Sequence, residues 1–198
     1  TGSCGTADTT MWHYEEATGL LTNKLYADGK GTKYTYTSDG RLYTRTWARL
    51  DGTNLLVTTY SQDEDTGELT GINYSDSTPD ATFTYNRAGQ QVTATDVLGT
   101  RTFSYNGNLQ LITEVIPDGE GGSNTISRSY ATSGMKGRST GFELDEDYGV
   151  AYTHDGVGRF STLTSTLSAL GVTNAFTYTY LANSDLVSGY SESGSGLT

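Results

Sequence analysis

Residues 82–100 read TFTYNRAGQQVTATDVLGT and residues 101–119 read RTFSYNGNLQLITEVIPDG. Displaced by twenty residues, the second stretch falls on the first. Phe103 lands on Phe83, Tyr105 on Tyr85, Asn106 on Asn86, Thr113 on Thr93 and Gly119 on Gly99. Self-similarity at a fixed period signals stacked supersecondary units. Within each copy Phe83 and Tyr85 alternate with Thr82 and Thr84, which is strand periodicity. Asn86 to Gly89 carries turn chemistry, because Asn tolerates and Gly readily adopts a left-handed backbone. Gln91 to Asp96 is a second strand rich in Thr and Val. One unit is strand, turn, strand, turn.

The unit recurs outward from this pair. An anchor aromatic stands at Tyr14, Tyr36, Tyr60, Tyr85, Tyr105, Tyr130, His154 and Tyr180, twenty to twenty-six residues apart. Short β-prone runs precede the anchors, as at Leu56 to Tyr60 and Phe176 to Tyr180. Turns follow them, as at Ser38-Asp39-Gly40 and Asp155 to Gly158. Second strands begin near Leu21, Leu42, Leu69, Val92, Leu111 and Phe160. Helical spacing of Leu163, Leu167 and Leu170 is outweighed by the surrounding Ser and Thr, so this stretch also reads as strand. The expected fold is all-β, a spiral antiparallel sheet of about sixteen short strands in tandem hairpins. The domain reading places an N-terminal segment at 1–11, eight repeats as one β domain at 12–190, and a flexible tail or truncated linker at 191–198. Pro117 to Asn124 is the longest expected loop.

Composition sets limits. The chain has 198 residues, 34% of them hydrophobic, and Tyr supplies 15 of its aromatic side chains. A sheet of this kind has a thin core at most. The net charge of −11 leaves no basic stripe for nucleic acid and disfavours anionic membrane surfaces. No apolar run approaches the roughly 18 residues of a membrane span. The single cysteine, Cys4, permits no internal disulfide and could link copies in an oxidising compartment. A chain beginning at Thr1 without Met or signal peptide reads as processed, or as part of something longer.

Tyr34-Thr35-Tyr36-Thr37-Ser38-Asp39-Gly40-Arg41-Leu42 resembles the Y-x-Y-D-x-x-G-R-L signature of the YD repeat, found in the rearrangement-hotspot (RHS) and teneurin family. Tyr152-Thr153-His154-Asp155-Gly156-Val157-Gly158-Arg159-Phe160 matches as well, with His for the second Tyr. Trp12 to Gly29 also resembles a bacterial RHS repeat. The family aspartate reads as kept at Asp155 alone, with Glu15, Thr37, Ser61, Asn86, Asn106, Ala131 and Leu181 elsewhere. Such variation fits structural turn residues better than a catalytic carboxylate. The resemblance implies a hollow β shell that encloses a C-terminal segment, often a toxin. It also implies a secreted or surface bacterial protein. The D-P-x-G-type core motif of that family is absent here, since neither Pro79 nor Pro117 follows Asp.

The chemistry-bearing residues support few alternatives. Cys4 with His13 or His154 lacks an orienting third group, and two histidines without a cysteine cluster do not make a zinc site. No pair among the acidic residues stands out for glycoside hydrolysis. Asp63, Asp65 and Glu68 form a candidate calcium loop with part of the usual spacing, and Glu143 to Asp147 is a second acidic cluster. Trp12, Tyr26, Tyr43 and Trp47 are candidates for a glycan platform. No cofactor is implied. The expectation is a non-catalytic shell scaffold, with a fibre subunit joined through sheet edges or a glycan or cell-surface module as alternatives. Its partners are further repeats, other copies, an enclosed C-terminal toxin, or glycans. The residues expected to matter are the eight anchors with Gly40, Gly89, Asp155 and Gly158.

Overall fold

The structure is a computed structural model and describes residues 8–195. The chain forms two compact units, one ending at Val97 and the other beginning at Leu98. The first holds β1 (Met11–Tyr14), β2 (Leu21–Leu25), β3 (Gly31–Tyr36), β4 (Leu42–Asp51), β5 (Asn54–Gln62), β6 (Leu69–Tyr74), β7 (Ala81–Tyr85) and β8 (Gln91–Asp96). The second holds β9 (Gly99–Tyr105), β10 (Leu111–Pro117), β11 (Ser123–Tyr130), β12 (Ser139–Leu144), β13 (Tyr148–His154), β14 (Phe160–Leu167), β15 (Val172–Tyr180) and β16 (Val187–Ser195). Within each unit every strand pairs antiparallel with the next in sequence. The fold is all-β, an antiparallel meander of hairpins.

The hairpins are local because each turn carries its own closure, so strands pair with the nearest strand in sequence. Seven anchors are the last residue of their strand: Tyr14, Tyr36, Tyr85, Tyr105, Tyr130, His154 and Tyr180. The register slips by one residue just before each, as between Thr35 and Tyr36 or Thr153 and His154. Such a bulge bends the strand and re-aims its last side chain.

Residues directly opposite one another share a face, and faces alternate along a strand. One face of the second unit carries the row Tyr152, Leu163, Phe176, Glu192. The other carries the row Thr153, Thr162, Thr177, Ser191. The second unit therefore has an aromatic face and a hydroxyl face. Paired hydroxyls occur in both units: Thr35 with Thr44 at 2.5 Å and Thr84 with Thr93 at 2.6 Å in the first, and Thr153 with Thr162 at 2.6 Å in the second. Among the described residues the buried apolar side chains are Leu56 and Val150, joined by the polar Thr32 and Thr58. The thin core expected from composition is thinner still, a single sheet with half-buried side chains on both sides.

Three expectations change. The stretch read as a flexible tail from Ser191 runs on as strand to Ser195, and residues 196–198 lie outside the described residues. Small Ser and Gly residues join β16 because backbone pairing holds it, helped by Asn174 donating to Glu192 at 2.8 Å. Leu170 is in a one-turn 3-10 helix, Ser168–Leu170, stopped by Gly171 at φ +63°. The loop expected over 117–124 shrinks to five residues, 118–122, because Asp118 accepts the N–H groups of Glu120 and Gly122 at 2.8 and 2.9 Å.

Candidate functional site

The repeated unit of chemistry is the turn after each anchor. Its first residue donates its N–H to the carbonyl of the residue that closes the turn. Its own carbonyl accepts an N–H from the left-handed end of the turn. Asp155 donates to Arg159 at 2.8 Å and Gly158 donates back to Asp155 at 3.0 Å. The same pattern joins Thr37 with Arg41, Asn86 with Gln90 and Asn106 with Gln110. Longer versions start at Glu15, Asp63, Ala131 and Leu181. Gly40 and Gly158 have φ of +84° and +92°, a region costly to side chains.

In four of the eight turns the first and closing residues are of matching chemistry. Asp155 holds the Arg159 guanidinium at 2.7 Å. Asn86 donates its amide to Gln90, and Asn106 to Gln110, both at 3.0 Å. The last turn sets Leu181 and Leu186 in the same two places. Charge meets opposite charge, amide meets amide, and apolar meets apolar. Both turns closed by Gln begin with Asn, whereas the turns closed by Arg begin with Thr37, Ala131 or Asp155.

Two side-chain links tie one repeat to the next, and both end on backbone carbonyls. The anchor reaches back. Tyr36 donates to the Leu21 carbonyl at 2.8 Å, Tyr130 to Leu111 at 2.9 Å and Tyr180 to Phe160 at 2.7 Å. The closing residue reaches forward. Arg41 donates to Asp63 at 3.4 Å, Gln110 to Gly137 at 2.8 Å, Arg138 to Gly158 at 2.6 Å and Arg159 to Ser184 at 2.6 Å. The Arg159 guanidinium also lies over the Tyr180 ring, 4.2 Å from its centre.

This pattern corrects one anchor. In the third repeat the register slips between Ser61 and Gln62, and Gln62 donates to the Leu42 carbonyl at 2.7 Å. Gln62, not Tyr60, fills the anchor position, and Asp63, not Ser61, begins the turn. An aspartate therefore begins the turn at both Asp63 and Asp155. Counting back from Gly67 rather than matching tyrosines would have found it. Gln62→Ala is expected to lower stability by about 1 kcal/mol, the net worth of a hydrogen bond. Tyr60→Phe should leave the denaturation midpoint unchanged. Equal midpoints for the two variants would return the anchor to Tyr60.

The remaining anchors differ. The His154 ring stacks on Phe160 at 5.0 Å. Tyr105 ends β9 opposite Leu111. Tyr14 is exposed. Burial raises the Tyr85 hydroxyl pKa, with a smaller contribution from Glu68, and burial likewise raises that of Tyr36.

Asp63, Asp65 and Glu68 do not assemble as a calcium loop. Asp63 Oδ1 accepts the N–H groups of Asp65 and Thr66 and the Thr66 hydroxyl, at 3.0, 2.8 and 3.0 Å. Glu68 accepts the same hydroxyl at 2.9 Å. Among the described residues no group of three or more His, Cys, Asp or Glu side chains could hold a metal ion. The two Thr66 bonds, with that from Asp65, hold the Asp63 carboxyl below the ordinary carboxylate range. Partial burial pushes Asp155 up, but the bonds from Arg159 and Val157 outweigh it and its carboxyl is also held low. A lowered carboxyl stabilises the fold above the unfolded value of about 4 and loses that contribution as pH falls through the folded value. Asp63→Asn, which keeps the acceptor as Asn86 and Asn106 do, should flatten the loss of melting temperature below about pH 4. A slope equal to the wild type's would place the acid sensitivity elsewhere.

The other candidates are dispersed. Trp12 and Tyr26 lie on either side of Lys24, whose ammonium is 5.8 and 5.2 Å from their ring centres. Trp47 instead stacks on Arg45 at 3.6 Å and donates to the Thr58 hydroxyl at 2.9 Å. Tyr43 is exposed on β4. Within the second acidic cluster Asp145 and Glu146 form a hairpin turn at φ +52° and +68°, and Asp145 accepts the Thr125 N–H at 2.5 Å. Cys4 lies outside the described residues. A trough of about 610 Å³ on the hydroxyl face is lined by Gly141, Gly149, Ala151, Ser127, Thr164 and Glu143, and no histidine or cysteine lines it.

No family model and no curated protein matches the sequence. Solved structures similar to the chain include TcdB2-TccC3, with 16% identity over 93% of this chain and 11% of that one, at a TM-score of 0.40. The Photorhabdus luminescens Tc holotoxin pore gives 18% identity over 90% and 10%, at a TM-score of 0.38. A porin-like protein from Bacteroides uniformis ATCC 8492 gives 16% identity over 94% of both chains, at 0.33. The chain spans about a tenth of the length of the toxin chains.

Proposed function

We propose that this chain is a non-catalytic scaffold, an RHS/YD-repeat segment of a secreted or surface bacterial protein that forms part of a β wall around a C-terminal cargo. The observation that supports this is where the repeated side chains go. Tyr36, Tyr130, Tyr180, Arg138 and Arg159 all donate to backbone carbonyls of a neighbouring repeat. Their chemistry is committed to holding repeat to repeat, which supports a structural rather than a catalytic reading. The second unit also has chemically distinct faces, which suits a partition between cargo and solvent.

The test is protease protection in the native full-length protein, with peptides C-terminal to the repeats followed by mass spectrometry. An enclosed segment stays intact until the sheet unfolds. Cleavage of that segment at the same rate in folded and unfolded protein would remove enclosure from the reading.

A glycan-binding reading is favoured by one observation, the exposed Trp12 and Tyr26 either side of Lys24. Specific binding on a glycan array, abolished by Trp12→Ala in folded protein, would support it. No binding leaves the scaffold.

A further inference from the structure

We infer that the first unit carries a built-in seam between β6 and β7, at which the array parts before any other junction between repeats within the two units. Three independent features meet there. The first is pairing. β6 and β7 share two residue pairs, Gly71 with Thr82 and Ile72 with Ala81. The other junctions within the units share three at β2–β3, five at β4–β5, five at β10–β11, four at β12–β13 and six at β14–β15.

The second feature is the backward link. Tyr36, Gln62, Tyr130 and Tyr180 bridge their junctions to a carbonyl. Tyr85, at the β6–β7 junction, makes no such bond among the described residues. The third is the forward link. Here the closing residue is Glu68, whose carboxylate lies against the Gly89 turn. An ionised carboxylate has no proton to donate, so it cannot do for this junction what Arg41, Gln110, Arg138 and Arg159 do for theirs. The junction at β2–β3 lacks a donor at Leu20 but keeps the Tyr36 bridge. The junction at β12–β13 lacks a bridge from His154 but keeps the Arg138 donor. Only β6–β7, of these six, lacks both.

The connection across the seam, residues 75–80, is drawn in by one clasp. The Asp80 carboxylate accepts the Asn73 side-chain amide at 2.7 Å and the Tyr74 N–H at 2.9 Å. The clasp ties the connection, not β7, to β6; sheets open in cooperative pieces, and the junction with the fewest paired strand residues and neither repeat-to-repeat link sets where a piece detaches. The β7–β8 hairpin and the β1–β6 meander are the pieces defined here. The inference concerns the sheet itself and holds whatever the wall encloses.

Hydrogen exchange followed by mass spectrometry on the whole protein tests it. Amides in Thr70–Tyr74 and Ala81–Tyr85 should exchange about tenfold faster than those of the β14–β15 junction, the effect of one to two absent hydrogen bonds. Glu68→Gln supplies the missing donor, as Gln110 does for Gly137, and should slow the same amides several-fold. Glu68→Ala should not slow them. Equal protection at β6–β7 and β14–β15 in the unmodified protein overturns the seam. Exchange unmoved by Glu68→Gln overturns the link account of it.

Discussion

Gly141→Ala is expected to lower the melting temperature by about 6–12 °C. A Cβ added at Gly141 would lie 2.2 Å from the Val150 carbonyl oxygen and 3.2 Å from the Ala151 Cα. Both obstacles are backbone of the paired strand, β13, so no side chain can swing aside. The two strands must separate where Gly141 faces Ala151 and Phe142 faces Val150. Overpacking of this kind costs about 3 kcal/mol, and about 2–4 °C accompanies each kcal/mol in a chain of this size. Gly149 on the facing strand is the control. A Cβ there meets nothing closer than the Glu143 Cγ at 3.6 Å, and Gly149→Ala should change stability by less than about 0.5 kcal/mol. Equal shifts for the two would mean that the close approach of β12 and β13 is not real.

The second large effect is Gly158→Ala, and it should exceed Gly40→Ala. Both glycines have left-handed backbones, so either substitution costs about 1–2 kcal/mol for conformation alone. At Gly40 a Cβ meets only Leu20, at 3.9 Å. At Gly158 it would lie 2.6 Å from Arg138 Nη2 and 3.0 Å from Met135 Sδ, displacing the guanidinium from the Gly158 carbonyl. Gly158→Ala should therefore cost about twice as much, the surplus being the charged hydrogen bond. In an Arg138→Ala background the cost should fall to the Gly40 value. A cost independent of Arg138 would show that the forward link carries no stability.

The hairpin array was legible because the information is local. The second-strand starts at Leu21, Leu42, Leu69, Leu111 and Phe160 coincide with the strands themselves, since a turn signal fixes each. The third anchor was misplaced for a chemical reason. An amide does the work of a phenol at Gln62, and a search for aromatics selects Tyr60, two residues too early. The forward link was invisible because its partner lies in the next turn and is a carbonyl, which every residue has. The closing Arg and Gln residues were visible in the sequence, but which first residue each one meets needs the turn closed in space. The end of β16, from Ser191 to Ser195, reads as tail because Ser-Gly sequence resembles linker, and its order comes from β15.

The scarcity of buried apolar side chains, Leu56 and Val150 among those described, has a calorimetric consequence. The heat-capacity increase on unfolding comes from newly hydrated apolar surface and is offset by polar surface. A sheet that already shows water much of both faces has little of the former to expose. Its increment per residue should fall below the roughly 12–15 cal/mol/K usual for globular domains. The curve of stability against temperature is correspondingly shallow, so cold weakens this sheet less than it weakens a protein built around an oily centre.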